Sequence, residues 1–242
     1  MTLDPLIARA HALWQDLADG PVEFGRSAAS VIVSPRSQLC PPAWCGVVVL
    51  GGAGIVTVPT AEVAVQLRKV VAEVPPAALV ETDVLRARLP VADVLGPAAL
   101  AYLSGADFRP MSTDRTVTRV PAGHPGLLAL LTKAGQEDAG ESGLDEISSP
   151  AFVVFDGVEV VAAAGYQAWP GRTAHLSVLT APEHRIRGLA RTVASAAVAH
   201  ALDTGLMPQW RARPEPSRRV THALGFQKVG AQLSIRLDDG GG

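Results

Sequence analysis

The sequence has 242 residues, enough for one large domain or two small ones. Hydrophobic residues make up 48% of it and charged residues 18%, a composition that predicts a globular fold and excludes intrinsic disorder. The formal net charge of -2 offers no basic surface for phosphate contacts, so we expect no nucleic-acid partner.

Hydropathy and the cysteine count predict where the protein is located and whether it binds a metal. The longest apolar runs are far shorter than the roughly 20 residues that span a bilayer. The first residues lack a basic segment followed by an apolar one, so no signal peptide is expected. Cys40 and Cys45 have no neighbouring histidine or further cysteine to complete a zinc site. We therefore expect a cytoplasmic protein with reduced thiols, no membrane partner and no metal.

The first 110 residues show a mixed pattern of helices and strands. Asp4 and Pro5 predict the start of an amphipathic helix that ends at Gly20. Strands are predicted at 30–34, 47–50 and 55–58, the last two joined by a hairpin turn rich in glycine. A helix follows at 60–74. A shorter helix is predicted at 92–103, interrupted early by Pro97, and the pattern between 75 and 90 is ambiguous.

A second series of predicted strands and helices begins after residue 110. A strand at 116–120 and a helix at 126–134 precede an acidic loop at 136–149. Turn residues then separate three strands, at 151–155, 158–166 and 173–180, which predict an antiparallel meander. A long helix to residue 204, a strand at 207–213, a short helix at 217–224 and a strand at 231–237 complete the chain.

This element order predicts the fold class. We expect an α/β (α+β) protein with a mixed, mostly antiparallel sheet flanked by helices in residues 111–242. A smaller α/β domain in residues 1–110 precedes it.

The turn between the third strand of the meander and the long helix predicts an anion site. It contains Arg185, Gly188 and Ala190 in an Arg-x-x-Gly-x-Ala pattern, with Arg187 and Arg191 beside them. The start of a helix presents free backbone N–H groups and the positive end of the helix dipole. Glycine lets the backbone approach an anion closely, and the small Ala190 leaves room for it.

Three segments, in their order along the chain, resemble the GNAT superfamily of acetyl-CoA-dependent N-acetyltransferases. They are residues 178–182, the Arg-x-x-Gly-x-Ala turn, and the Ala-Leu-Gly-Phe sequence at 223–226. The resemblance covers residues 116–237 and implies the GNAT fold. It also implies that acetyl-CoA pairs its pantetheine arm with the strand and its diphosphate with the turn. The implied cofactor-binding residues are Val178, Leu179, Thr180, Arg185, Ile186, Arg187, Gly188, Leu189, Ala190 and Arg191. For the first 110 residues a degenerate half of the same fold is one interpretation, but they show no convincing internal repeat.

The sequence departs from the family pattern where the chemistry takes place. Pro214 stands where many members have an asparagine, and Thr221 stands where many have a tyrosine that acts as the general acid. Gln209 stands where some members have a glutamate that acts as the general base, and an amide takes no proton at neutral pH.

Acetyl transfer needs a base for the amine and an acid for the departing thiolate. His175 lies on the strand that enters the cofactor site, and its ordinary pKa near 6.5 suits a base. The alternative is that His175 caps a backbone group of the sheet. Ser217 and Thr221 are the candidate acids, although Ser217 is equally explained as a helix N-cap.

Candidate acceptor-binding residues lie in the acidic segment and near the ends of strands. The carboxylates would recruit a cationic amine, although such a run is also typical of a solvated surface. The candidates are Glu137, Asp138, Glu141, Tyr166, Arg211 and Arg213.

The function that these residues and the resemblance predict is acetyl transfer to a primary amine of a small molecule. The predicted enzyme is a monomer or a homodimer that uses acetyl-CoA and no metal. Two alternatives remain open: an acyl-CoA-binding or regulatory protein without transferase activity, and a protein N-acetyltransferase.

Overall fold

The computed structural model describes residues 4–238, and its contacts divide the chain into two compact units. The first consists of the residues up to Leu100 together with those from Lys228 onward, and the second of Ala101–Gln227. Among residues 4–238, no helix is long and apolar enough to cross a membrane. Residues 1–3, the first residues of the segment in which no signal peptide is expected, lie outside this described part.

Seven α-helices and ten strands are present in the described chain. The helices are α1 (Pro5–Leu17), α2 (Ala61–Glu73), α3 (Thr82–Arg86), α4 (Pro125–Ala134), α5 (Gln136–Ser142), α6 (Leu189–Asp203) and α7 (Glu215–Leu224). The strands are β1 (Ser30–Val33), β2 (Cys45–Leu50), β3 (Ala53–Val58), β4 (Val91–Tyr102), β5 (Thr118–Val120), β6 (Ala151–Asp156), β7 (Glu159–Trp169), β8 (Thr173–Thr180), β9 (Met207–Ala212) and β10 (Gln227–Leu237).

The sheet of the first unit has the order β1-β3-β2-β10-β4. β1 runs parallel to β3, and β2 runs antiparallel to both β3 and β10. The predicted opening helix is confirmed as α1, whose N-cap Asp4 accepts a hydrogen bond from the Leu6 N–H at 2.7 Å. The predicted hairpin is confirmed, since β2 and β3 pair antiparallel. Gly51 and Gly52 form its turn, and both have the positive φ typical of such turns.

Strand β4 corrects the prediction of a short helix over residues 92–103. In a helix interior, the ring of Pro97 would clash with the preceding turn and its missing N–H would break the hydrogen-bond ladder. Residues 98–102 are all buried. An unbroken buried run of this length is typical of an interior strand, and it carries no helical periodicity.

The last strand, β10, belongs to a different unit from the one that the sequence assigns to it. β10 pairs with β2 over six positions, from Gly230↔Leu50 to Ile235↔Cys45. It therefore lies in the first unit, whereas the sequence groups it with residues 111–242. The predicted domains 1–110 and 111–242 stay a prediction.

Both cysteines of the first unit are free thiols, as predicted. Burial raises the pKa of Cys40 to about 11 and that of Cys45 to about 12, so both are protonated at neutral pH.

The sheet of the second unit has the order β9-β8-β7-β6-β5. β5 to β8 are antiparallel, which confirms the predicted meander, and β9 runs parallel to β8. Helix α6 covers one face, where its alanines and valines pack on side chains from β6, β7 and β8. Helix α4 and the turn at Leu144–Glu146 pack on the other face. The mixed α/β fold class is thus the predicted one.

The acidic segment at 136–149 is not the predicted loop, because it contains helix α5. Glu137 and Asp138 lie in its first turn, where the positive end of the helix dipole favours carboxylates. Gly143 ends the helix in the left-handed conformation, with φ of 58°.

Candidate active site

Strands β8 and β9 separate part of the way along their length. Their parallel pairing runs from Thr173↔Met207 to His175↔Gln209. Beyond that point β8 continues to Thr180 while its other edge stays paired with β7. The edge of β8 that faces β9 therefore presents backbone groups over the predicted cofactor residues Val178, Leu179 and Thr180, as an extended ligand requires.

The start of α6 lies directly after this open edge. Its N-cap Gly188 is in the left-handed conformation, with φ of 78°, and no side chain caps the helix. The first bond into the helix is donated by the Thr192 N–H to the Gly188 carbonyl at 3.1 Å. The N–H groups of Leu189, Ala190 and Arg191 precede it and have no intrahelical acceptor. Free N–H groups at a helix start are the kind of arrangement that can bind an anion such as a diphosphate.

Ile186 adds an unusual feature to the turn. This β-branched residue has φ of 63°, and its side chain is fully exposed at 105%. Left-handed geometry is unfavourable for β-branched residues, so the turn stores backbone strain next to the helix start.

The three arginines of the turn have different partners. Arg185 forms an ion pair with Asp138 of α5 at 2.6 Å and donates to the Thr180 carbonyl. The guanidinium of Arg191 donates to the Ala223 carbonyl at the end of α7, so it joins the two helices. Arg187 is exposed. The structure thus leaves Arg187 and, once its ion pair opens, Arg185 for a diphosphate.

His175 lies where β8 and β9 begin to separate. Its Nδ1–H donates to Oε1 of Gln209 at 2.5 Å, so its partner is a side chain and not the backbone group that the sequence alternative assumes. Its ring stacks on Trp169, with ring centroids 4.0 Å apart. The Nε1–H of Trp169 donates to Gln167 at 2.8 Å. Gln209 and Trp169 therefore fix the orientation of the imidazole ring.

The electrostatics of His175 differ from those of a free imidazole. Burial lowers its pKa to about 4, and the positive charge of Arg211 acts in the same direction. The hydrogen bond to Gln209 opposes the shift but does not reverse it. His175 is therefore neutral at pH 7, and its lowered pKa makes it a weaker proton acceptor than a free imidazole.

The predicted acids Ser217 and Thr221 are both engaged in hydrogen bonds. The Oγ of Ser217 accepts from Nε1 of Trp210 at 3.0 Å, and the Thr221 hydroxyl donates to the Arg218 carbonyl at 2.7 Å. Helix α7 begins at Glu215, so the interpretation of Ser217 as its N-cap is wrong. The role of both hydroxyls as proton donors stays a prediction.

The predicted acceptor residues are only partly brought together. Asp138 is paired with Arg185, and Glu141 of α5 forms an ion pair with Arg213, which follows β9. Glu137 is exposed. Because two of the three carboxylates are paired, α5 attracts a cationic acceptor less than the sequence predicts.

Tyr166 lies on the opposite face of the sheet from His175. It is buried against α6, and its hydroxyl forms a hydrogen bond with Nδ1 of His200 at 3.0 Å. His200 therefore packs on the sheet, as predicted. The structure does not bring Tyr166 to the acceptor side.

The sequence does not predict the contact between Gln209 and His175. For Trp169, beside the 170–171 turn, the sequence leaves open whether it lines the acceptor pocket or covers the sheet, and in the structure it stacks on His175. The signal that could have found Gln209 is strand alternation, because it lies opposite His175 in the β8–β9 register.

Strands β8 and β9 thus separate beside the uncapped start of α6, and the neutral His175 lies where they separate. Residues 149–232, which contain this whole arrangement, match the family model of the GNAT acetyltransferases. Over these residues the chain is therefore similar to the GNAT acetyltransferases, a family of acyltransferases.

Several solved structures are similar to parts of this chain. A GCN5-related N-acetyltransferase from Kribbella flavida is 18% identical, with a TM-score of 0.50. The match covers 66% of this chain and 64% of that one, less than two thirds of its length. A GCN5-related N-acetyltransferase-like protein from Streptococcus suis is 15% identical, with coverages of 81% and 84% and a TM-score of 0.48. The protein yncA from Salmonella typhimurium, solved with acetyl-CoA, is 19% identical, with coverages of 54% and 98% and a TM-score of 0.39. No curated protein matches the chain at a significant level.

Proposed function

We propose that the protein is an N-acetyltransferase that transfers the acetyl group of acetyl-CoA to a primary amine of a small molecule. The observation that carries this proposal is the position of His175. The neutral ring lies at the point where the open edge of β8 begins, and that edge leads to the uncapped start of α6. A thioester whose pantetheine arm follows β8 would place its carbonyl near the imidazole.

The chemistry is a direct attack in a ternary complex. The amine nitrogen forms a bond with the thioester carbonyl carbon, and the carbon–sulfur bond breaks. The nitrogen loses a proton, for which neutral His175 is the acceptor, and the departing thiolate takes one up to become the free thiol of CoA. Holding both substrates in one site supplies much of the rate by proximity.

The residues assigned to the cofactor are Val178, Leu179 and Thr180 of β8 with the turn and first helical residues from Arg185 to Ala190. The backbone N–H groups at the start of α6 would bind the diphosphate, and Arg187 would add charge. Arg191 supports this helix start through its bond to α7.

The experiment is an assay of thiol release from acetyl-CoA over a panel of amines, with calorimetry of acetyl-CoA binding alongside. We expect binding and amine-dependent release. Binding without release would favour the acyl-CoA-binding or regulatory function. The Thr221 hydroxyl supports that alternative, because its proton is already donated to the Arg218 carbonyl. An absence of both would contradict the proposal.

The Asp138–Arg185 ion pair gives a first prediction. Asp138→Asn frees Arg185 for the diphosphate, so we expect the Kd of acetyl-CoA to fall about twofold to fivefold, the usual range for an exposed ion pair. Isothermal calorimetry at low and high salt measures this change, and salt should reduce it.

A charge-matched control separates this effect from the general loss of a negative charge. Asp145→Asn removes an exposed carboxylate from the neighbouring turn, where it has no ion pair in the described chain. Equal Kd changes in the two variants would show that Arg185 does not reach the diphosphate.

A further inference from the structure

Arg211 lies on the same face of the sheet as His175. Gln209 pairs with His175 across the two strands, and Arg211 follows two residues later along β9. Residues two apart on a strand project from the same face, about 7 Å apart. The guanidinium is close enough that its charge disfavours protonation of the imidazole.

The side chain of Arg211 is accessible to a ligand. It is exposed to solvent, yet burial among protein atoms lowers its pKa. Trp169, stacked flat on His175, forms part of the same face.

The charge of Arg211 is not paired, unlike that of its neighbours. Arg185 and Arg213 form ion pairs with carboxylates of α5. Within residues 4–238, Arg211 has no ion pair or side-chain hydrogen bond, and the acidic group that acts on it, Glu146, is beyond ion-pair distance. The positive charge of Arg211 is therefore not neutralised by an ion pair within residues 4–238.

We propose that the acceptor is an amine that also carries a carboxylate, as an amino acid does, and that Arg211 binds this carboxylate. The inference rests on the proposed acetyl transfer and names the class of its second substrate. A guanidinium matches a carboxylate with two parallel hydrogen bonds, and such a pair orients as well as attracts. It would hold the amino group beside His175, while a purely cationic amine would be repelled.

The test compares amino acids with their carboxamides, which keep the amine and lose only the charge. In the wild type we expect kcat/KM to be at least about tenfold higher for the amino acids. Arg211→Gln should lower kcat/KM for the amino acids at least about tenfold, mainly through KM, and that for the carboxamides less than about twofold. Comparing wild type and variant on each substrate cancels the different basicity of the two amines.

Two further variants complete the design. Arg211→Lys keeps the charge but not the paired hydrogen bonds, so we expect an intermediate loss. Arg119→Gln removes an exposed arginine from β5, at the other end of this sheet, and should leave both substrates unaffected.

The outcomes separate the inference from the function on which it rests. Equal losses on amino acids and carboxamides, or a weaker acetyl-CoA Kd in Arg211→Gln, would overturn the role of Arg211. Acetylation of other amines without any preference for a carboxylate, or bound acetyl-CoA with no amino acid acetylated, would overturn the substrate class alone. A wild type that binds no acetyl-CoA would overturn the proposed function as well.

Discussion

Replacing Gly188 with glutamate is expected to abolish acetyl-CoA binding, with a Kd at least about a hundredfold higher, or ~2.7 kcal/mol. The new carboxylate would stand at the uncapped start of α6 and compete with the diphosphate for the same N–H groups. It would also repel the diphosphate, since both are negative. Titration calorimetry with acetyl-CoA measures the loss.

Two controls isolate the charge. Gly188→Ala places a Cβ at the same left-handed position, where its nearest neighbour would be Met111 at 3.5 Å, an ordinary contact. It therefore tests backbone strain without charge. Gly123→Glu adds the same charge at an exposed loop position with open space around it. If a folded Gly188→Glu variant binds acetyl-CoA as tightly as these controls, the diphosphate does not bind at the start of α6.

Local sequence patterns predicted the elements that position the site. Turns at 156–157 and 170–171 separate the strands of the meander, and glycine at 157 and 171 has the positive φ that such turns require. The start of α6 was predicted because Gly188 stands between a strand and a helix-forming run. In each case the determining residues are neighbours along the chain.

The partners within the site were not predictable, because they are distant in sequence. His175 and Gln209 are separated by 34 residues, and Arg213 and Glu141 by 72. Arg213 was assigned to the acceptor from strand alternation alone, which reveals a face but no partner. Whether a charged side chain is free for a ligand is therefore a property that only the tertiary structure decides.

The errors in secondary structure have a related cause. The alanines of 92–103 favour a helix by intrinsic propensity, but their burial in a sheet overrides it. Strand β10 was predicted as a strand, yet its neighbour β2 lies far away in the sequence, so its place in the sheet was not.

Replacing His175 with alanine is expected to lower kcat by about a hundredfold and to leave the Kd of acetyl-CoA unchanged. A positioned general base contributes about 10²- to 10⁴-fold, and its effect is greatest when its pKa lies near the working pH. Because the pKa of His175 is about 4, we expect its contribution to kcat at the lower end of that range. Steady-state kinetics with saturating acetyl-CoA and calorimetry of the variant check both statements.

The pH dependence follows from the lowered pKa. The neutral ring, which accepts a proton, predominates above pH 4 and is lost as the pH falls through about 4. The acidic limb that His175 gives to kcat/KM therefore lies near pH 4, not at pH 6 to 7 as for an unshifted imidazole. An NMR titration of the His175 ring should show no midpoint between pH 5 and 8.

Gln209→Glu moves this limb and so separates a catalytic from a structural role for His175. The carboxylate would lie at the position of the Gln209 amide, 2.5 Å from Nδ1, and favour the protonated imidazole. We expect the His175 pKa and the acidic limb to rise together by about one to three pH units. If the pKa rises while the limb stays in place, and His175→Ala keeps most of its kcat, then water accepts the proton of the amine. His175 would then serve, with Gln209 and Trp169, to hold β8 and β9 at the distance where the two strands begin to separate.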